Sequence, residues 1–290
     1  MNKLFAAVAA ALLLAACNPN QNNSQNTAAS APPAASDSAA AQAEGQQPPA
    51  MALPADVKGL EAAAAKAVEG YQPAAEKQVV YFDKDGKPAD KPSPGGYYRE
   101  VLGAMPDGRL VVQDFYQDNG KPQTLPSILK QGAEVHDFSG GNIEGLLVWL
   151  QPDGSIHAAA EVSQGKSDWN VFYRDGRILA QISASNEQLV LFYADGRPML
   201  WGRKTDDGQK IMDTYYSGGG RMSRISSRPG QKPEDAEVAA WDRQGKPAAL
   251  PDVREDMEAV MSALKETMQY IEQNMGPTAD DRAANASAPH

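Results

Sequence analysis

Between residues 78 and 250 the chain alternates short apolar runs with turn residues at a regular spacing. A second turn signal stands between each neighbouring pair of main turns, so the chain turns about every 11 residues. The runs between turns, such as residues 189–193, are rich in β-branched and aromatic side chains. Crossover helices between parallel strands need connections of a dozen residues or more, and turns this closely spaced leave no room for them. The pattern predicts a mainly β fold, a long antiparallel meander of about 12 to 16 strands. The main turns carry glycine at 86, 108, 132, 154, 176, 196, 220 and 245.

The turns share flanking residues as well as glycine. Five of them contain Asp-Gly, which suits tight hairpins because it accepts a positive φ. Most have an aromatic residue four positions before the glycine and a basic residue directly after it, as in Phe172, Gly176 and Arg177. This pattern resembles the MORN-variant repeats of the bacterial antitoxin-like YwqK family, clearest over 169–221. The resemblance implies an elongated, curved single sheet of repeated antiparallel hairpins. Because the family includes antitoxin-like proteins, the resemblance also implies an immunity or inhibitor role as one possible function.

Two helices are predicted beside the hairpins. Residues 55–69 have Asp56 as a candidate N-cap and Gly70 as a stop, which indicates a short N-terminal helix. Residues 252–275 have a longer apolar stripe at helical spacing. An open sheet has a face that needs cover, so we expect this long C-terminal amphipathic helix to pack on it. The stripe consists of Val253, Met257, Val260, Met261, Leu264, Met268, Ile271 and Met275.

The N-terminus has the pattern of an export signal. A short basic start containing Lys3 precedes an apolar run over 4–14, which is too short to span a bilayer. Leu14-Ala15-Ala16-Cys17 resembles the lipobox of bacterial lipoproteins, and Cys17 is the only cysteine. The resemblance implies that Cys17 is lipidated after removal of residues 1–16. Because Asn18 is not Asp, it also implies a lipid anchor in the outer membrane, on either its periplasmic or its outer side.

Composition divides the remainder of the chain. Residues 17–50 are low in apolar side chains and predict a lipidated, disordered tether, whose Ser/Ala/Pro content leaves O-glycosylation open. The hairpin domain with its two helices is predicted over 51–275, followed by a disordered tail over 276–290. Loss of Lys3 leaves 26 basic against 37 acidic residues, a net charge of −11. This charge argues against a nucleic-acid partner.

No residue spacing in the chain points to catalysis or to a cofactor. His136 and His157 lie on separate hairpins without a zinc-binding spacing. Asp83-Lys84-Asp85-Gly86 begins like a calcium loop but lacks the acidic residue at the twelfth position, so a turn is favoured. The lone cysteine is assigned to the lipid, and serine-nucleophile and phosphate-loop motifs are missing from the sequence. We therefore predict no metal, no cofactor and no enzymatic activity.

The aromatic residues are the remaining candidates for function. Tyr and Trp dominate binding hot spots because they bury a large area at a low entropy cost. Tyr173, Tyr193, Trp201 and Tyr215 lie in the best-formed repeats, and packing in the core is the alternative role for each. The predicted function is a non-enzymatic module that binds a protein or an envelope polymer. The alternative is an envelope enzyme or small-molecule carrier, which needs convergent polar groups with shifted pKa values.

Overall fold

A computed structural model describes residues 47–183, 185–232 and 235–274. The predicted signal segment, the lipidation site Cys17, nearly all of the tether and the C-terminal tail lie outside the described residues. The domain boundaries predicted at 16/17 and 275/276 therefore stay predictions.

The described chain is mainly β, with 14 antiparallel strands in one open, curved sheet, which confirms the predicted fold class. Neighbours in the sheet follow chain order, except that β1 lies between β2 and β3. The strands are β1 Gln72–Phe82, β2 Pro88–Ala89, β3 Tyr97–Ala104, β4 Leu110–Tyr116, β5 Ser127–Leu129, β6 Ile143–Leu150, β7 Ile156–Ser163, β8 Lys166–Arg174, β9 Arg177–Ser183, β10 Gln188–Phe192, β11 Pro198–Lys204, β12 Lys210–Tyr215, β13 Arg221–Ser227 and β14 Glu237–Ala240.

The Asp-Gly turns form as their chemistry predicts. In the turn between β10 and β11, Gly196 has φ +81° and its amide donates to the carbonyl of Tyr193. The side chain of Asp195 accepts a hydrogen bond from the amide of Arg197, two residues on. Glycine supplies the positive φ and aspartate satisfies a free backbone donor, so the dipeptide closes the hairpin locally. The Asp83-Lys84-Asp85-Gly86 segment is a turn of the same kind, with the Asp83 carboxylate accepting from the amides of Asp85 and Lys87.

The long C-terminal helix, α2 (Leu250–Asn274), packs on one face of the sheet, here called the α2 face. As far as Ile271, the predicted apolar stripe is confirmed as the packing surface. Buried against side chains of β7 to β14 are Val253, Val260, Met261, Leu264 and Ile271, and Met257 and Met268 are partly buried. Met275, the last residue of the predicted stripe, lies outside the described residues. Strand alternation places one residue in two on this face, which gives the helix a continuous apolar floor.

The opposite face, here called the α1 face, is covered in its middle by the short N-terminal helix, α1 (Val57–Ala67). Asp56 caps this helix by accepting from the amide of Gly59, as predicted. The segment before it also lies on the sheet: the buried Gln181 side chain accepts from the Ala52 amide and donates to the Ala50 carbonyl. The α1 face is therefore covered near its centre by α1 and by the segment that precedes it.

A loop over 130–139 covers the part of the α2 face that lies near β3 to β6, where the repeat pattern is weakest. Its Phe138 ring lies 4.6 Å from Phe82 and 4.9 Å from Tyr97, between ring centroids. Arg99 fixes the loop by donating to the carbonyls of Val135 and Asp137. This loop covers the α2 face of the first hairpins, as α2 covers the same face of the later hairpins.

Candidate functional site

Four charged side chains converge on the α1 face of β11, β12 and β13, beyond the area that α1 covers. Asp213 is at their centre and has no solvent exposure. Arg224 donates to both of its oxygens, with Nε–Oδ1 and Nη2–Oδ2 distances of 2.7 and 2.9 Å. Arg203 Nη1 donates to Oδ2 at 2.7 Å, and Arg221 Nε lies 3.3 Å from Oδ1. Three guanidinium groups thus surround one carboxylate, and we call these four residues the arginine cluster.

Burial and charge shift the pKa values in this cluster. Burial acts to raise the pKa of Asp213, but the hydrogen bonds from Arg224 and Arg203 outweigh it, and the pKa is lowered. Burial lowers the pKa of Arg203, against the opposing effect of Asp213. Burial also raises the pKa of Tyr215 to about 12, and the charge of Asp213 adds to the shift. One carboxylate stabilises three cations here, so the least hydrated guanidinium, Arg203, bears an electrostatic cost.

Two of the four aromatic residues predicted as binding residues lie beside this cluster. The Arg203 guanidinium carbon lies 3.7 Å from the ring centroid of Trp201. Tyr215 is half-buried on β12, where it pairs with Arg221 of β13. The indole Nε1 of Trp201 donates to Gln188 Oε1. Because Trp201 is only 6% exposed, its ring supports Arg203 and does not form an open platform.

The other two predicted residues lie elsewhere. Tyr173 is 0% exposed, and its hydroxyl donates to the carbonyl of Pro54 under the segment before α1. A ring closed on every side leaves no surface for a partner, so its role in this fold is in the core. Tyr193 is half-buried near Asp256 of α2, and its hydroxyl donates to the Tyr215 carbonyl. The structure therefore does not assemble the four residues into one surface.

A partly exposed row of aromatic rings lies at the other end of the α1 face. Tyr81, Tyr98 and Phe115 stand opposite one another on β1, β3 and β4. Tyr98 and Phe115 are stacked, with centroids 4.9 Å apart and an angle of 8° between planes, and Tyr81 follows at 6.5 Å from Tyr98. All three are only half-buried, and none belongs to the hydrophobic clusters found in the described part of the chain. We call this row the aromatic ladder.

The sequence contained a signal for this ladder. Tyr81-Phe82, Tyr97-Tyr98 and Phe115-Tyr116 are adjacent aromatic pairs in strands, so each pair sends one ring to each face. Phe138 covers Phe82 and Tyr97 on the α2 face, whereas their neighbours on the α1 face are only half-buried within the described ranges. The choice between the two rings of a pair depends on a loop more than 20 residues away in sequence, which no local pattern predicts.

Two further features concern the same described ranges, 47–183, 185–232 and 235–274. No group of three or more His, Cys, Asp or Glu side chains there comes together in a way that could hold a metal ion. No helix among these residues has both the length and the apolar character needed to cross a membrane.

No protein-family model and no curated protein sequence matches this chain. The lipoprotein and repeat-family resemblances thus stay predictions, and we infer the function from the geometry of the two surfaces.

Proposed function

We propose that the protein is a lipoprotein anchored in the outer membrane by a lipid on Cys17, and that it acts as a non-enzymatic binding module for a protein or an envelope polymer. The aromatic ladder is its binding surface. The lipid anchor is supported by the lipobox-like sequence before Cys17. Binding is supported by the partly exposed ladder itself.

The single observation that carries the binding proposal is a row of three half-buried rings outside the core, two of which are stacked. Aromatic rings normally bury most of their large surface, so a row of three left partly in water is a candidate contact surface. The rings are fixed by the backbone pairing of β1, β3 and β4. Because the rings are already held in place, the protein loses less conformational entropy when a partner binds.

The surroundings of the ladder supply polar contacts at its rim. Lys77 and Glu100 form an ion pair, with Nζ–Oε1 at 2.5 Å, and Glu100 shares the face and strand of Tyr98. An apolar centre with a charged rim is the usual arrangement of a protein-binding surface. The ladder therefore suits a peptide segment or a polymer with apolar or planar faces.

The proposal is tested by removing the ladder without disturbing the core. Full-length protein with Tyr98→Ala and Phe115→Ala is compared with wild type in affinity capture from envelope extract, and in co-sedimentation with purified insoluble cell-wall polymer. We expect the double variant to lose capture or co-sedimentation by about tenfold or more, because truncation of hot-spot aromatics typically costs at least 2 kcal/mol. The melting temperature is measured in parallel.

Val238→Ala is the matched control, because Val238 is a 40% exposed apolar residue on β14, at the far edge of the sheet. It should bind as wild type does. Binding by the folded double variant equal to that of wild type would overturn the assignment of the ladder.

A further inference from the structure

Two buried N–H donors of Arg203 have no acceptor among the residues that the structure describes. The Arg203 side chain is 5% exposed, and its Nη1 donates to Asp213. Its Nε and Nη2 atoms are both out of contact with solvent, and neither has a hydrogen-bond partner in the described ranges. These two nitrogens form one edge of the planar guanidinium, with parallel N–H groups.

The same edge is used elsewhere in the molecule to bind a carboxylate. Arg99 donates through Nε and Nη2 to the two oxygens of Asp114, at 2.7 and 2.8 Å. Arg224 donates through the same two atoms to the two oxygens of Asp213. Among these three buried or nearly buried arginines, only the edge of Arg203 lacks its oxygen pair.

The position of the guanidinium is fixed. The ring of Trp201 lies against its plane, and the Nη1–Asp213 bond holds one corner. A stacked guanidinium directs its N–H groups sideways, in its own plane. Asp213 also accepts from Arg224 through both of its oxygens, so its negative charge is shared and Arg203 keeps the capacity to bind a further anion.

We propose that the Nε and Nη2 edge of Arg203 binds the oxyanion group of a ligand, either a carboxylate or a phosphate. Two oxygens of the group accept the two N–H bonds, as the Asp114 oxygens do from Arg99. Because both donors lie below the surface, the ligand enters by displacing a covering side chain.

This anion site is separate from the aromatic ladder, since one lies on β11 to β13 and the other on β1, β3 and β4. The two proposals can therefore fail independently. A carboxylate and a phosphate group use the same donor pair, so the experiment needs one arm for each.

The test follows the arginine Nε–H signals of ¹⁵N-labelled full-length protein by NMR. Sodium phosphate or sodium acetate is titrated in, with sodium chloride at equal ionic strength as the reference. The Arg203 signal, assigned by its loss in Arg203→Lys, is expected to shift and saturate with phosphate, acetate or both. The Arg99 signal should stay in place, because Asp114 already occupies its edge.

A second measurement uses thermal stability, since a ligand that binds only the folded state raises the melting temperature. The anion that shifts the Arg203 signal should raise the melting temperature of wild type relative to chloride. It should not do so in Arg203→Lys, which keeps the charge but loses the paired donors. Arg197→Lys removes a comparable but solvent-exposed pair with Asp195 and is the control that should respond like wild type.

An Arg203 signal that does not move in phosphate or acetate, or that moves equally in chloride, overturns the proposal. This outcome can be read from the wild-type protein even if Arg203→Lys does not fold. The Tyr98→Ala and Phe115→Ala protein should keep the Arg203 response, which separates this result from the fate of the ladder.

Discussion

Two buried arginine–aspartate pairs show how single residues shape this molecule. Arg99 is 1% exposed and Asp114 6% exposed, and every guanidinium nitrogen of Arg99 has a partner: two bonds go to Asp114 and two to loop carbonyls. The pair therefore attaches the loop over 130–139 to the sheet. Arg203, at 7% exposed, is nearly as buried, but two of its nitrogens have no partner among the described residues, which is the physical difference between a structural residue and a candidate ligand-binding one.

Asp114→Asn tests the structural role of the first pair. The change leaves the Arg99 charge buried without its counter-charge, which typically costs about 3 to 5 kcal/mol. Urea unfolding should show this loss in the free energy of unfolding. Asp107→Asn is the control, because its pair with Arg109 is partly exposed and such surface pairs contribute little to stability. Equal stability of the two variants would contradict the role given to Arg99.

We expect the free energy of unfolding to depend on pH through His157. Its ring is buried 6.0 Å from Phe172 and 5.9 Å from Tyr270 of α2, and this burial lowers its pKa from the ordinary value. The unfolded chain then binds a proton at a higher pH than the folded chain does. Stability is therefore full above the unfolded pKa of about 6.5 and falls as the pH drops towards the folded pKa.

The prediction is checked by urea unfolding at about pH 7.5 and about pH 5.5, a window above the ordinary carboxylate pKa values. Wild type should lose more stability between the two than His157→Gln, which has no proton to gain. Parallel losses in the two proteins would show that other groups cause the dependence.

At the scale of elements, each helix covers a part of the sheet that the hairpins cannot cover themselves. On the α2 face, α2 covers the later strands and the loop over 130–139 covers the first strands. On the opposite face, α1 covers the middle of the sheet. An isolated sheet with two apolar faces would not be stable in water, so these three covers are part of the core. The ladder and the arginine cluster lie where the cover on the α1 face ends.

Leu264→Ala measures how strongly α2 is held. Leu264 is 2% exposed in the cluster beneath the helix, and such truncations cost about 2 to 5 kcal/mol. The neighbouring Lys265 is exposed, and Lys265→Ala should change stability by about 0.5 kcal/mol or less. If removal of residues 251–290 left the melting temperature unchanged, the helix would not be part of the stable core.

At the scale of the whole molecule, the hairpin sheet places its two candidate surfaces on the α1 face. The segment over 50–55 crosses that same face, held by hydrogen bonds to Gln181 and Tyr173. The proposed tether therefore joins the domain between the ladder and the arginine cluster. Its predicted length of 34 residues corresponds to a root-mean-square reach of roughly 30 Å, enough to hold the domain away from a membrane surface.

Cys17→Ala tests the anchor. If Cys17 is lipidated, the variant should leave the membrane fraction or accumulate as an unprocessed precursor, because the thiol is the only attachment point for the lipid. Membrane pelleting and immunoblotting of precursor and mature forms provide the measurement. Ser24→Ala, a change within the tether, should behave as wild type. A Cys17→Ala protein that pellets and matures normally would contradict the assignment.

The sequence by itself determined the hairpins, the Asp-Gly turns and the two amphipathic helices. Turn chemistry and side-chain periodicity are local, so a window of about a dozen residues contains what they need. It also showed the aromatic pairs, each of which must send one ring to either face.

Only the tertiary structure decided which ring of each pair meets water. Alternation along a strand divides the residues between two faces but does not say which face is covered. That depends on contacts between distant segments, such as Tyr173 with Pro54, 119 residues apart, and Gln181 with Ala50, 131 residues apart. Tyr173 is enclosed for this reason, while Tyr98 stays partly exposed. The arginine cluster likewise requires three strands in register, and the spacing of its four residues along the chain carries no sign of their convergence.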